Sequence, residues 1–66
     1  MYTLYFFQMQ KLQKTLSFND ENRAISSLAE HACFLGLTIA DDYYSAYSAG
    51  NKPETFIELI QEEDAQ

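Results

Sequence analysis

The chain has 66 residues, and its ten acidic and four basic side chains give a formal net charge of −6 at pH 7. At this length the prediction is one domain, residues 1–66, which buries only about 60% of the surface that its unfolded chain exposes. Hydrophobic residues make up 47% of the chain and aromatic residues 15%, so we expect a folded core without metal or disulfide. The acidity makes nucleic acid a poor direct partner.

The charges are unevenly distributed along the chain. Residues 1–19 contain only Lys11 and Lys14, a charge of +2, whereas residues 20–66 contain all ten acids with Arg23 and Lys52, a charge of −8. The single cysteine, Cys33, lies in an apolar stretch and is predicted to be a small buried side chain in a reducing compartment. The expected location is therefore the cytoplasm.

The first residues are apolar, but the run is interrupted by Gln8, Gln10 and Lys11 and has no basic leader. It therefore predicts neither a signal peptide nor a membrane span. Met1, followed at once by structured-looking sequence, indicates a complete small reading frame. Residues 2–9 are rich in Tyr, Phe and Leu, and residues 15–18 form a second β-type run, so we predict a β-hairpin with residues 11–14 between its strands.

A helix remains the alternative for this segment. Leu4, Tyr5, Met9, Leu12 and Leu16 also fall near helical spacing, and glutamine and lysine are good helix formers. The aromatic cluster favours strands.

The next segment predicts an amphipathic helix over residues 20–35. Asn19 or Asp20 can cap its first turn, where acidic side chains favour the positive end of the helix dipole. Gly36 occupies the position of a left-handed terminal residue, and Leu37 can pack back on the last turn. The apolar stripe that defines the face follows helical periodicity and comprises Ala24, Ile25, Leu28, Ala29, Ala32 and Cys33.

Residues 37–63 allow two interpretations. Residues 37–40, 43–47 and 55–60 can be strands, which would complete an α+β domain of ββαββ type with an antiparallel sheet packed on one central helix. Alternatively, Thr38 with Asp41 can open one helix and Pro53 another, giving an N-terminal hairpin followed by two or three helices. We favour the sheet, because a lone hairpin needs more strands or helix cover. Residues 61–66 are expected to be a frayed acidic tail.

No catalytic or cofactor constellation is predicted. His31 and Cys33 are two residues apart on a helix and point to different sides, so they cannot form a nucleophilic pair. Asp41 with Asp42, or Glu58 with Glu62, could join a cation site, but a solvated acidic face is the stronger interpretation. The chain has only two glycines and no phosphate-binding loop. We therefore expect a non-enzymatic protein without metal or cofactor.

Two surfaces remain that could act by contact. The first is acidic: same-face strand residues repeat every ~6.7 Å and helical i, i+4 pairs lie ~6 Å apart, which is comparable with the charge spacing of DNA. The alternative is an acidic surface that serves only solubility. The acidic side chains expected on such a surface are Asp20, Glu21, Asp41, Asp42, Glu54, Glu58, Glu62 and Glu63.

The second surface is rich in tyrosine. Five tyrosines, Tyr2, Tyr5, Tyr43, Tyr44 and Tyr47, exceed what a small core can bury with every hydroxyl bonded, so some should be exposed. Because tyrosine is enriched at interface hot spots, Tyr43, Tyr44 and Tyr47 form a candidate contact surface. The alternative is that they only cover the sheet or helix. The predicted partner-binding residues are thus Asp20, Glu21, Asp41, Asp42, Tyr43, Tyr44, Tyr47, Glu54 and Glu58.

In size, acidity and its hairpin-to-helix opening, Thr15-Leu-Ser-Phe-Asn-Asp-Glu-Asn-Arg-Ala24, the chain resembles small phage-encoded inhibitor proteins of the anti-CRISPR and DNA-mimic type. The resemblance implies a protein that acts in the cytoplasm of a bacterial host cell and blocks the basic DNA or RNA site of a bacterial nucleic-acid-binding complex. That class has no shared fold or catalytic signature, so it assigns no residue roles. The positive segment 1–19 departs from an all-acidic mimic.

An antitoxin or regulatory accessory protein that binds its protein partner through the tyrosine face is the alternative function. Salt distinguishes the two functions. An acidic mimic should lose binding as salt rises and after charge reversal at Asp41, Asp42 or Glu58, whereas a tyrosine-centred interface should tolerate salt and fail with Tyr44→Ala.

Overall fold

The computed structural model describes residues 1–50 and 53–62. Within them the chain is an α+β domain in which one helix packs on a five-stranded antiparallel sheet. Lys52, Glu63 and the part of the predicted tail from residue 63 onward lie outside the described residues. The elements in chain order are β1 (Tyr2–Gln8), β2 (Lys11–Phe18), α1 (Glu21–Leu35), β3 (Thr38–Ile39), β4 (Ser45–Tyr47) and β5 (Thr55–Gln61).

The strand order is β2-β1-β5-β4-β3. The last strand therefore inserts between the N-terminal hairpin and the short β3–β4 hairpin. It pairs with β1 from Tyr2 opposite Gln61 to Gln8 opposite Thr55, and with β4 from Ser45 opposite Glu58 to Tyr47 opposite Phe56. The prediction of strands after residue 37 is confirmed, and the alternative with two or three helices is wrong. One more strand is present than the ββαββ description counts, because residues 37–47 form two short strands.

The N-terminal hairpin is confirmed, but its turn is tighter than expected. Residues 11–14, predicted to lie between the strands, belong to β2, and the loop is the dipeptide Met9-Gln10. Both residues have positive φ, 55° and 68°, which is the pattern of a type I′ turn. Such a turn matches the right-handed twist of the strands. Here the twist imposes left-handed backbone angles on a methionine and a glutamine, which do not favour them.

Replacing this strained dipeptide with asparagine followed by glycine, through Met9→Asn and Gln10→Gly, should stabilise the fold. Both new residues adopt left-handed backbone angles readily, so we expect the free energy of unfolding to rise by about 1 kcal/mol. Urea denaturation measures the difference. A glycine at Thr15, inside β2, should instead lower stability, and an unchanged midpoint for the turn variant would show that the turn is not strained.

The helix begins and ends as predicted, within one residue. The Asp20 side chain accepts a hydrogen bond from the Arg23 backbone N–H at 3.1 Å, which satisfies one of the otherwise unbonded amides of the first turn. At the other end, Gly36 has φ 71°, and the Leu37 N–H donates to the Ala32 carbonyl at 2.8 Å. This bond and the contact of Leu37 with the core complete a Schellman-type end.

One face of the sheet and one stripe of α1 make the core. Among the helix residues, Ala24, Leu28 and Ala32 are fully buried, and their spacing of four places them in line along the helix. Two of the three are alanines, so the helix axis lies close to the sheet. The buried apolar residues are Leu4, Phe6, Ala24, Leu28, Ala32, Ala46, Ile57 and Leu59.

The prediction of a buried Cys33 is wrong, since Cys33 is exposed. The stripe that contacts the sheet is narrower than the sequence pattern, because small residues bring the helix close. Cys33 follows Ala32 by one residue and is therefore rotated about 100° around the helix axis, away from the sheet. The lone thiol contributes no packing to the core.

Candidate partner-binding surface

Acidic side chains from separate segments meet at one end of the sheet. The N-terminus of α1, the loop between β3 and β4, and the last residues of β5 all lie at the end where β1 begins. We call this surface the acidic end and define it as Asp20, Glu21, Asp41 and Asp42, all of which are exposed.

Tyr44 connects two of these segments. Its hydroxyl donates a hydrogen bond to the Glu21 carboxylate of α1, and its backbone N–H donates to Asp42 Oδ1 at 2.9 Å. Tyr44 is half-buried and packs against the core, so the ring is a fixed support between the loop and the helix. Tyr44 therefore bonds the Glu21 carboxylate through its hydroxyl and the Asp42 carboxylate through its backbone N–H, although Glu21 and Asp42 are far apart in sequence.

The loop itself is a tight turn. The Ala40 N–H donates to the Ser45 carbonyl at 2.8 Å, and the Tyr43 N–H donates to the Ala40 carbonyl at 2.9 Å. Tyr43 has a left-handed backbone with φ 61°, an uncommon conformation for an aromatic residue. Asp41 and Asp42 are exposed at the tip of this turn, and the Tyr43 side chain is 53% exposed. The turn thus presents two carboxylates and one aromatic ring together.

Glu62 follows β5 at the same end of the sheet, but its carboxylate lies with Tyr5 on the face that α1 does not cover. Its Oε1 accepts a hydrogen bond from the Tyr5 hydroxyl at 2.9 Å, and its backbone N–H donates to the Met1 carbonyl at 2.7 Å. Hydrogen bonds from Thr3 and Tyr5 lower the pKa of the Glu62 carboxyl, and the same bond with Glu62 raises the pKa of the Tyr5 hydroxyl. The ionised Glu62 carboxylate therefore stabilises the fold at pH values above its ordinary pKa. This stabilisation is lost as pH falls through the lowered pKa of the folded state.

Tyr44 gives the acidic end a spectroscopic signature. The hydrogen bond to Glu21 and the neighbouring negative charge raise the pKa of the Tyr44 phenol to about 12. Because this pKa is raised in the folded state, the hydrogen bond stabilises the fold. The stabilisation is complete below pH 10.0, the ordinary pKa of tyrosine, and is lost as pH rises through about 12. We expect an ultraviolet titration of phenolate to contain a late step near pH 12 that disappears in Tyr44→Phe.

Two further variants test the assignment of that step. Glu21→Gln removes the charge of the acceptor and should move the step to lower pH, because a neutral amide opposes phenolate formation less. Tyr47→Phe should leave the step in place. Because the pKa of Tyr5 is also raised, the comparison is made in a chain that carries Tyr5→Phe. A late step that survives Tyr44→Phe in that chain would contradict the contact between Tyr44 and Glu21.

The other predicted contact residues lie elsewhere. Glu54 precedes β5 at the opposite end of the sheet, where its carbonyl accepts from the Met9 N–H at 2.7 Å. Glu58 and Tyr47 lie on the sheet face that α1 does not cover, since Glu58 is opposite Tyr5 and Ser45 and Tyr47 is opposite Phe56. Of the nine predicted residues, six are therefore brought to one end: Asp20, Glu21, Asp41, Asp42, Tyr43 and Tyr44. The three tyrosines do not form one face.

The uncovered sheet face carries an apolar row near the hairpin end, a feature that the sequence analysis did not identify. The rings of Phe7 and Phe56 stack with centroids 4.5 Å apart, and Tyr47 and Leu12 flank them in the strand register. Leu12 is 52% exposed and Tyr47 is 41% exposed. The sequence does contain a signal for this face. Strand residues alternate between the two faces of a sheet, so Tyr5 and Phe7 must lie on the face opposite to Leu4 and Phe6.

A groove lies at the end opposite the acidic end. A cavity of about 270 Å³ opens between Phe34 and Leu35 of α1 and the hairpin residues Phe6 and Lys14. His31 faces it, but its Nδ1–H donates to the Ser27 carbonyl at 2.8 Å and its ring meets the edge of Phe6. These contacts give His31 a structural role, and Cys33 does not line the groove.

Within residues 1–50 and 53–62, no group of three or more His, Cys, Asp or Glu side chains is placed to hold a metal ion. In that same part of the chain, no helix has the length and apolar character needed to cross a membrane. Comparisons with family models, with curated proteins and with solved structures gave no match.

Proposed function

We propose that this protein is a non-enzymatic inhibitor that binds a bacterial nucleic-acid-binding complex and blocks its basic DNA or RNA site with the acidic end. The observation that carries the proposal is the support of Glu21 and Asp42 by Tyr44. Charges that are already held in place lose little freedom on binding, which favours their use as a contact surface. A merely soluble surface needs no such support.

Charge separation along the sheet favours the same function. Lys11 and Lys14 lie at the hairpin end, away from the acidic end, whereas Arg23 follows the helix cap and its backbone N–H binds Asp20. A basic groove on a partner would attract the acidic end first and orient the domain during approach. Binding there would replace phosphate groups and depend strongly on salt.

An affinity pull-down from bacterial lysate tests this function. The tagged chain is incubated with lysate at low and at high salt, and the retained proteins are identified by mass spectrometry. We expect a nucleic-acid-binding complex to be retained at low salt and lost at high salt, because exposed charge pairs are screened. Retention of a partner that lacks a basic groove, or equal retention at both salt concentrations, would contradict the proposal.

A second function, that of a regulatory accessory protein or antitoxin, is favoured by the uncovered aromatic face. Its contact residues would be Phe7, Tyr47 and Phe56, with the hydrophobic area and rigid rings typical of hot spots. Tyr44→Ala is a poor test of this function, because Tyr44 supports the acidic end. Tyr47→Ala should abolish such binding without affecting the acidic end, and the binding should tolerate salt.

A further inference from the structure

The outer edge of the sheet at β2 carries backbone groups that no other strand of the described residues pairs with. β2 is an end strand in the order β2-β1-β5-β4-β3, and most of its residues are exposed. Natural proteins protect such edges with charges, proline or bulges. Here the irregularity in register falls between Phe6 and Phe7 of β1, opposite the Lys11–Lys14 half of β2, so Thr15–Phe18 remains regular, uncharged and free of proline.

The hydrogen bonds of β1 determine which backbone groups of β2 point outward. The Met9 N–H donates to the Glu54 carbonyl and the Met1 carbonyl accepts from the Glu62 N–H, so odd-numbered residues of β1 direct their backbone to β5. The backbone N–H and C=O groups of successive residues point to alternate sides of a strand. The even-numbered residues of β1 therefore bond to β2. Their partners on β2 are Lys14, Leu16 and Phe18. Thr15 and Ser17 consequently direct their N–H and C=O groups outward.

We propose that β2 pairs antiparallel with β2 of a second copy, which makes a symmetric dimer with one continuous sheet. The pairing places Thr15 opposite Ser17 of the second copy and forms about four backbone hydrogen bonds. Leu16, which is half-buried in one copy, then meets Leu16 of the other across the two-fold axis. The axis is perpendicular to the sheet, so both helices lie on the same face.

Charge complementarity favours a second copy over an unrelated strand. In an antiparallel arrangement the hairpin end of each copy, with Lys11 and Lys14, lies beside the residues that follow β2 in the other copy, where Asp20 is exposed. The two-fold symmetry repeats this contact between lysines and Asp20, so the dimer has two such pairings of opposite charge. They favour the antiparallel direction, because a parallel arrangement of the strands would place like charges side by side. The loop that bears Asp41 and Asp42 follows β3 at the far edge of the sheet, so the dimer leaves this turn of each copy accessible.

Sedimentation velocity from micromolar to millimolar concentration tests the dimer. We expect a species of twice 7.6 kDa that Thr15→Pro weakens at least tenfold, because proline removes the outward N–H. The free chain should tolerate this change, since an edge strand accepts proline where the N–H faces solvent. Thr15→Val retains the N–H and should retain the dimer. A mass of 7.6 kDa at every concentration, or dimers unaffected by Thr15→Pro, would overturn the proposal.

Hydrogen exchange on the unmodified chain provides a second readout that does not depend on how a variant folds. The amides of Thr15 and Ser17 should become protected as concentration rises, while those of Lys14 and Leu16 are protected throughout. Exchange at Thr15 and Ser17 that is independent of concentration would contradict the pairing. Lys11→Glu should weaken the dimer as well, because it places like charge beside Asp20 of the second copy.

Discussion

Leu28→Ala is expected to lower the free energy of unfolding by about 3 kcal/mol, the largest loss for a single truncation of the helix. Leu28 is fully buried, and it is the one large side chain in the stripe between Ala24 and Ala32. The alanines on either side cannot fill the space that it leaves. A chain of 66 residues has a total stability of roughly 3–10 kcal/mol, so this loss removes about a third or more of it.

Urea denaturation followed by circular dichroism measures this loss. Leu12→Ala is the matched control, because it removes the same atoms from a side chain that is 52% exposed on the uncovered sheet face. Its cost should be below about 1 kcal/mol. Equal losses for the two variants would mean that α1 does not contribute the centre of the core.

Reversing two charges of the acidic end should reduce binding to the basic partner about a hundredfold. Each reversed charge in a close interfacial pair costs about 1.4 kcal/mol or more, a factor of about ten. The variant is Asp41→Lys with Asp42→Lys, which changes the exposed turn between β3 and β4. Titration of the partner at low salt, by calorimetry or fluorescence anisotropy, measures the change.

The control for this variant is Glu54→Lys with Glu58→Lys. It changes the net charge by the same amount at two exposed positions outside the acidic end. If binding depends on the location of charge, the control should weaken it much less than the first variant. Equal weakening would indicate that net charge alone governs the interaction, and circular dichroism of each variant verifies that the fold is retained.

Local signals predicted much of the fold. Asp20 and Gly36 bracket the helix because a side-chain cap and a left-handed residue are needed at those places. The hairpin turn was missed because Met9-Gln10 lacks the glycine or asparagine that marks a type I′ turn, and the twist of the strands imposes the conformation. The insertion of β5 between β1 and β4 depends on long-range pairing, which neighbouring residues do not encode.

The candidate site was predictable only in part. Acidic residues near a helix start and in a loop are visible in the sequence, and so are exposed tyrosines. The convergence of the two segments is not visible, because Tyr44 and Glu21 are separated by 23 residues and meet only when the sheet packs on α1. Glu54, Glu58 and Tyr47 were grouped with them by composition, but strand direction and face separate them.

Competition for the partner tests the central claim most directly. A complex of the recovered partner with labelled DNA or RNA is titrated with this protein, and release of the nucleic acid is followed by fluorescence anisotropy. We expect release with a midpoint that rises for the Asp41→Lys/Asp42→Lys variant at constant salt, because the acidic end and the phosphates occupy one site. Formation of a ternary complex that retains its nucleic acid would contradict the claim that the acidic end blocks that site.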